Sequence, residues 1–207
     1  RAVPRWQLRR SAGQEGVSSK KQLWLLAGGN GAGKSTFYRT RLEPRGVPFV
    51  NADVIARELF PDDPEGKSYV AARVAEELRA ELLRDGRSFC FETVFSHPSK
   101  VDFVARAKSL GYEVILVFVH LSTPQLNQAR VSQRVSEGGH HVPHDKVEQR
   151  IPRALANLKA AIPLCDQVRV LDNSALHHPF EPVLTVRGGH VTAHVSPLPA
   201  WAAALIE

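Results

Sequence analysis

Gly28-Gly29-Asn30-Gly31-Ala32-Gly33-Lys34-Ser35-Thr36 is entered from the apolar run Gln22 to Ala27 (QLWLLA) and left through Phe37 to Arg41 (FYRTR). It fits G-x-x-x-x-G-K-[ST], with Gly28 and Gly33 as the fixed glycines and Lys34 and Ser35 closing the pattern. A phosphate chain needs closely spaced donors. Gly28, Gly29, Gly31 and Gly33 let the backbone wrap an anion with its N–H groups pointing inward, and Asn30, Ala32 and Thr36 complete the expected ATP cradle. Lys34 is expected to reach the β- and γ-phosphate oxygens, and Ser35 to place its hydroxyl on Mg²⁺. The helix predicted to begin near Gly33 aims the positive end of its dipole at the same phosphates. The apolar run before the loop and the helix-compatible run after it supply the context that so short a pattern requires.

Working outward, the helix from Lys34 is predicted to run to about Leu42, where Pro44, Gly46 and Pro48 stop it. A short strand, VPFVNAD, ends on Asp53, and a helix starts there with Asn51 or Asp53 near its cap. Val70, Val74, Leu78 and Leu82 recur at four-residue steps, which predicts an amphipathic helix from Lys67 to Arg84, ended at Asp85-Gly86. Ser88 to Phe95 (SFCFETVF) reads as a strand, Pro98 to Leu110 as a helix, and Tyr112 to Leu121 (YEVILVFVHL) as a strand buried on both faces. Two helices follow, one from Ser122 or Thr123 and one from about Asp145 to Leu164, and then a strand at Gln167 to Leu171. PVLTVRGGHVTAHVS reads as a hairpin around Gly188-Gly189, and PLPAWAAALIE as a small closing helix. Strands alternating with helices predict an α/β fold: a mostly parallel sheet, helices on both faces, and a C-terminal β-hairpin. Ligands bind such sheets at the carboxyl ends of the strands, so the loop from Gly28, Asp53, Glu92 with Thr93, and Asp172 with Asn173 should converge on one crevice.

The 207 residues read as a basic extension over 1–21 and one domain over 22–207, whose Arg-rich helices near 126–160 are expected to form a lid. With 43% hydrophobic and 23% charged residues, disorder is excluded as the default. The net charge of +6 points to anionic partners. No apolar run reaches the length of about 18 residues that a membrane span needs, and no signal peptide is visible after RAVPRWQLRR. Cys90 and Cys165 lack metal spacing and read as reduced core thiols, which suits the cytoplasm.

Asp53 ends a strand straight after the loop's helix, a place from which a carboxylate accepts a proton from a hydroxyl or holds the metal. Glu92 and Thr93 interrupt an apolar strand, and polar groups buried there need partners, so they are read as facing the site. Which of Asp53 and Glu92 is base and which is metal partner stays open at this level. Arg130 and Arg134 lie four apart on one helical face, and Arg150 and Arg153 share another; such cations suit the charge that develops in phosphoryl transfer. Gly138 and Gly139 make the joint between these helices bendable. His140, His141 and His144 lack carboxylate or Cys partners in zinc spacing and are read as loop or substrate contacts.

Taken with GGNGAGKST, the segments VNADVIA (Val50 to Ala56), FETVFS (Phe91 to Ser96), the stretch from Arg130 to Pro143 and RIPRALANL (Arg150 to Leu158) resemble the zeta-toxin branch of P-loop kinases, over roughly Leu23 to Ser174. The resemblance implies a three-layer P-loop kinase fold that uses ATP and Mg²⁺ and has an alcohol group as acceptor. Family founders phosphorylate the 3′-hydroxyl of the sugar in UDP-N-acetylglucosamine, and a relative acts on NAD. The resemblance further implies that Lys34 binds the phosphates, Asp53 is the general base, and Glu92 and Thr93 hold the acceptor, while lid arginines stabilise the transition state. Arg134 is the first candidate among these, with Arg130 and Arg150 in reserve. An antitoxin protein is the implied partner. Two rival readings are kept: a nucleic-acid end kinase, which the charge favours but the scarcity of aromatics near the basic residues does not, and a nucleotide-binding switch without transfer activity.

Overall fold

The computed structural model of the chain describes residues 20–136 and 143–207, with the side chains of Arg134 and His144 outside the description. Nearly all of the expected basic extension, with Trp6, lies outside the described residues, as do Gly138, Gly139, His140 and His141. Lys21 already belongs to the body, since its carbonyl accepts from the Glu113 N–H at 2.9 Å.

The strands are β1 (Gln22–Ala27), β2 (Phe49–Val50), β3 (Phe89–Thr93), β4 (Glu113–His120), β5 (Gln167–Asp172), β6 (Glu181–Arg187) and β7 (His190–Ala193). The helices are α1 (Lys34–Phe37), α2 (Ala52–Leu59), α3 (Ser68–Arg84), α4 (Ser99–Ser109), α5 (Pro124–Ser136), α6 (His144–Ala161) and α7 (Ala200–Ala203). All seven strands join one sheet in the order β2-β3-β1-β4-β5-β6-β7. The strands β1 to β5 pair in parallel, and the hairpin β6-β7 extends the same sheet antiparallel from β5.

Alternation along β1 explains the layers, because successive side chains point to opposite faces. Leu23, Leu25 and Ala27 face a large core with Phe89 and Phe91 of β3, Leu116 and Phe118 of β4, and apolar residues from α2, α3, α4 and α6. Trp24 and Leu26 face the other side with Val117 and Val119, where Phe37, Tyr38 and Leu42 cover them. β1 and β4 are buried almost end to end, as a central parallel strand covered on both faces must be. A P-loop helix that continued to Leu42 was expected; α1 instead widens into a π-turn at Tyr38–Leu42 and a 3-10 turn at Glu43–Arg45, with Pro44 ending regular structure. The widened turn lets Tyr38 stack on Phe49 at 3.9 Å and donate its hydroxyl to the Val47 carbonyl at 2.7 Å. The closing helix α7 docks through Trp201, whose ring lies 4.0 Å from that of His120. Burial pushes the His120 imidazole down to about 4, against the opposing pull of Asp172.

Both thiols are free: Cys90 is buried and Cys165 half-buried, and burial raises each thiol, that of Cys165 to about 12. Their expected role as inert core residues fits this environment. No helix among the described residues is long and apolar enough to cross a membrane.

Candidate phosphate-transfer site

The order reverses at β1, which lies between β3 and β4, so the crevice sits where the chain leaves β1. There the loop Gly28 to Gly33 turns into α1 with φ of 136° at Gly28 and 99° at Gly33. A Cβ at Gly28 would run into the Val119 carbonyl of β4, so only glycine fits that approach. Two buried asparagines hold the loop from outside, and a third caps the next helix. Asn127 of α5 donates Nδ2 to the Asn30 carbonyl at 2.7 Å, and Asn173, just past β5, donates Nδ2 to the Ala32 carbonyl at 2.8 Å. Asn51 caps α2, its Oδ1 accepting from the N–H groups of Asp53 (2.8 Å) and Val54 (3.2 Å).

Lys34 is 5% exposed, with Nζ donating to the carbonyls of Gly28 (3.0 Å) and Gly29 (2.9 Å) and lying 3.8 Å from Glu92 Oε1. Ser35 Oγ donates to Glu92 Oε2 at 2.6 Å, and Asn51 Nδ2 donates to the same oxygen at 3.1 Å. Glu92 is thus the hub between the loop and the end of β3. Two hard oxygens, Ser35 Oγ and Glu92 Oε2, converge beside Lys34, which is a donor set that fits Mg²⁺. Arg150 of α6 reaches Asn30 Oδ1 at 3.4 Å, a long contact, and Arg130 of α5 packs beside Gly31.

Beyond Glu92 opens a pocket of about 260 Å³, walled by Arg73, Glu76 and Arg79 of α3 and Lys100 of α4, with Glu92 and Thr93 at its inner end. Tyr69 stands at its rim, 76% exposed. The Arg79 guanidinium lies 5.1 Å over the Phe91 ring. Thr93 Oγ1 accepts from the Phe95 N–H at 3.0 Å, holding Phe95 at a φ of 65°, and Asn157 of α6 donates to the Phe95 carbonyl at 2.8 Å. A buried non-glycine residue at positive φ is strained, and both hydrogen bonds keep it so, two residues past the pocket-lining Thr93.

A family model described as an AAA domain matches residues 23–160, more than half of the chain. The chain belongs to that family. The mostly parallel sheet with helices on both faces and the loop after β1 form a P-loop fold, which solved structures share at the level of fold. The crystal structure of AvrRxo1-ORF1:AvrRxo1-ORF2 with sulphate ions matches with a TM-score of 0.69 at 19% identity, over 92% of this chain and 65% of that one. The chain therefore spans a little less than two thirds of that protein's length. The structure of the PezAT chromosomal toxin-antitoxin system of Streptococcus pneumoniae matches with a TM-score of 0.60 at 20% identity, over 80% of this chain and 72% of that one. In sequence, an uncharacterized protein of Haemophilus influenzae is 28% identical over 138 residues, which cover 63% of this chain and 98% of the relative.

Of the strand-end residues expected in one crevice, Glu92 bonds the loop through Ser35, Asn173 bonds it through Ala32 and Thr93 lines one pocket with Glu92, while Asp172 turns to its own loop, accepting from the Ser174 N–H at 2.7 Å. Asn51, not Asp53, is the helix cap, which leaves the Asp53 carboxylate exposed in the first turn of α2, next to the pocket-lining Ala52. Thr36 is exposed on the outer side of α1, and Arg153 is exposed on α6. The Arg134 side chain falls outside the described residues. Among them no group of three metal-ligating side chains occurs. Sequence reading offered Asn51 only as a helix cap, without its bond to Glu92, and missed Asn127, Arg73, Arg79 and Lys100. Asn127 and Arg79 had a usable signal: each puts a polar group on a helix face that otherwise turns inward.

Proposed function

We propose that the chain is an ATP-dependent kinase that transfers the γ-phosphoryl group to a hydroxyl of a small metabolite, of the nucleotide-sugar kind represented by UDP-N-acetylglucosamine. One observation carries the reading. Glu92 belongs at once to the phosphate loop, through Ser35 and Lys34, and to the pocket beyond it, so donor and acceptor would meet across a single carboxylate. A switch that only binds nucleotide has no use for such a pocket, and a pocket of about 260 Å³ is narrow for a nucleic-acid strand.

In this mechanism the loop N–H groups and Lys34 hold the phosphate chain, Lys34 giving up its present carbonyl partners for phosphate oxygens. Ser35 and Glu92 would hold Mg²⁺, which neutralises charge on the β- and γ-oxygens when bound. Asp53 takes the proton of the acceptor hydroxyl as that oxygen bonds to the γ-phosphorus. The bond from phosphorus to the β,γ-bridging oxygen breaks, and ADP leaves with the electron pair. Arg130, Arg150 and Arg134 supply the cations for the transition state, the first two lying beside the loop already. Thr93 orients the acceptor. An antitoxin-type protein partner and a cytoplasmic setting go with this reading, in line with the toxin-antitoxin system among the fold's neighbours.

γ-Labelled ATP offered with a metabolite panel tests it. A labelled product should form with the wild-type protein and vanish with both Lys34→Ala and Asp53→Ala. Transfer at the wild-type rate by Asp53→Ala would remove the mechanism.

A further inference from the structure

Among the described residues two other than glycine take a positive φ, Phe95 and Phe180, and of these only Phe95 is fully buried. A bulky side chain in that region is strained, and such strain persists only where the surroundings over-determine it. At Phe95 two side chains do so. β3 has ended at Thr93, so the Phe95 peptide groups have left the sheet; Thr93 Oγ1 accepts from the N–H at 3.0 Å and Asn157 Nδ2 donates to the carbonyl at 2.8 Å. Thr93 lines the pocket beside Glu92, whereas Asn157 is half-buried and does not. Asn157 therefore reaches the pocket through Phe95 and Thr93.

The helix that carries Asn157 also meets the phosphate loop. Arg150 of α6 contacts Asn30 Oδ1, and Ile151 packs near enough to Gly29 that a Cβ there would lie 3.8 Å from it. Asn157 follows Arg150 by seven residues, two turns or about 10 Å along the axis, and so falls on the same face of α6. Ala154, Leu158 and Ala161 extend that face into the main core, each at most 1% exposed. One packed helix face thus touches the loop at one end and the exit of β3 at the other.

We propose that Asn157 is a positioning residue for phosphoryl transfer: by holding the Phe95 carbonyl it keeps the Phe95 N–H on Thr93 Oγ1 and sets the Thr93 hydroxyl at a fixed place relative to the phosphate loop. A hydroxyl has one hydrogen to donate and two lone pairs. The Phe95 N–H takes one lone pair, which fixes the Thr93 rotamer and leaves the hydroxyl hydrogen for an oxygen in the pocket. An asparagine suits the task because it donates to a buried carbonyl without bringing a charge into the core. Transfer chemistry is sensitive to such placement, since a shift of about 1 Å can slow a reaction about a hundredfold. The role rests on the kinase reading, and the experiment below fails differently for each.

The full chain is compared with Asn157→Ala and Asn157→Asp, with γ-labelled ATP as donor and UDP-N-acetylglucosamine first among the acceptors offered. Asn157→Asp keeps the side-chain volume but presents no hydrogen to the Phe95 carbonyl at neutral pH, and it carries the test if Asn157→Ala fails to fold. In either variant kcat should fall about tenfold, with the KM for ATP and the affinity for a non-hydrolysable ATP analogue unchanged. Thr93→Val removes the oxygen through which Asn157 acts, so adding Asn157→Ala to it should lower kcat no further. Wild-type kcat in Asn157→Ala, or a full tenfold loss on top of Thr93→Val, overturns the proposal and leaves the kinase reading standing. Hydrogen exchange gives a readout without turnover: the Phe95 amide should exchange about tenfold faster or more in Asn157→Ala, while amides of β1 and β4 keep their wild-type rates. Equal acceleration across the sheet would reduce Asn157 to a stability contact and overturn the role. If the wild-type protein labels no acceptor of the metabolite panel, the kinase reading falls and takes the transfer role of Asn157 with it.

Discussion

The two halves of the crevice solve the problem of buried polar groups in opposite ways. On the loop side Lys34, Ser35, Glu92, Asn127 and Asn173 already have partners within the protein, at 2.6 to 2.9 Å for the closest contact of each. On the pocket side Arg73, Arg79, Lys100 and Tyr69 have no hydrogen-bonded side-chain partner among the described residues. The difference is physical. A phosphate chain is the same in every ATP, so its site can be preorganised from backbone and locked from outside. On the kinase reading proposed above, an acceptor must enter and leave, and a wall that keeps unspent donors suits that role.

The largest test strikes the one residue common to both halves. Glu92→Gln keeps the shape and can still accept from Ser35, yet loses the charge beside Lys34 and Ser35. We expect kcat/KM to fall by about a hundredfold or more, roughly 3 kcal/mol, with a raised Mg²⁺ requirement and an intact fold. Steady-state kinetics over a Mg²⁺ titration decides it. A variant with wild-type kcat/KM would mean that the halves do not meet at this carboxylate.

A smaller effect should come from the locks. Asn173 is 7% exposed, its Nδ2 bonded to Ala32 and its Oδ1 accepting from the Phe180 N–H at 3.2 Å. Asn173→Ala strands a carbonyl and an amide, which costs about 1–3 kcal/mol in urea unfolding. Because Ala32 belongs to the phosphate loop, affinity for the ATP analogue should weaken alongside. Stability lost with that affinity untouched would show that Asn173 supports the terminal segment and not the loop.

The contrast between the halves also accounts for what the sequence could reveal. Gly28 to Ser35 is a local pattern: each glycine answers a backbone demand set by its immediate neighbours, and the flanking apolar runs declare the strand and helix. The alternation in β1 and the unbroken run of β4 announce burial on both faces for the same reason. Glu92 stood out because it interrupts such a run. The role of Asn51 was masked because Asn51 and Asp53 both suit a helix cap, and only the fold shows Oδ1 of Asn51 taking both N–H groups while its Nδ2 reaches Glu92. Arg73, Arg79 and Lys100 look like an ordinary solvated face until α3 and α4 are set opposite each other across the end of β3. The hairpin was legible from its Gly188-Gly189 turn, but its pairing to β5 in the main sheet was not, since register with a distant strand leaves no mark on spacing.

The smallest expected effect tests whether the pocket side ends at its cations. Tyr69 is 76% exposed, so Tyr69→Ala removes little buried area, and stability should stay within about 0.5 kcal/mol of wild type. If its ring is a platform for the acceptor, the acceptor KM should rise about threefold, some 0.6 kcal/mol, while kcat and the KM for ATP hold. Tyr69→Phe keeps the ring face and should restore the wild-type KM, which separates stacking from a hydroxyl contact. A rise in the KM for ATP instead would place Tyr69 in communication with the loop and erase the boundary between the halves. No change at all would confine acceptor recognition to the charged wall, where Arg79 and Lys100 would then carry it alone.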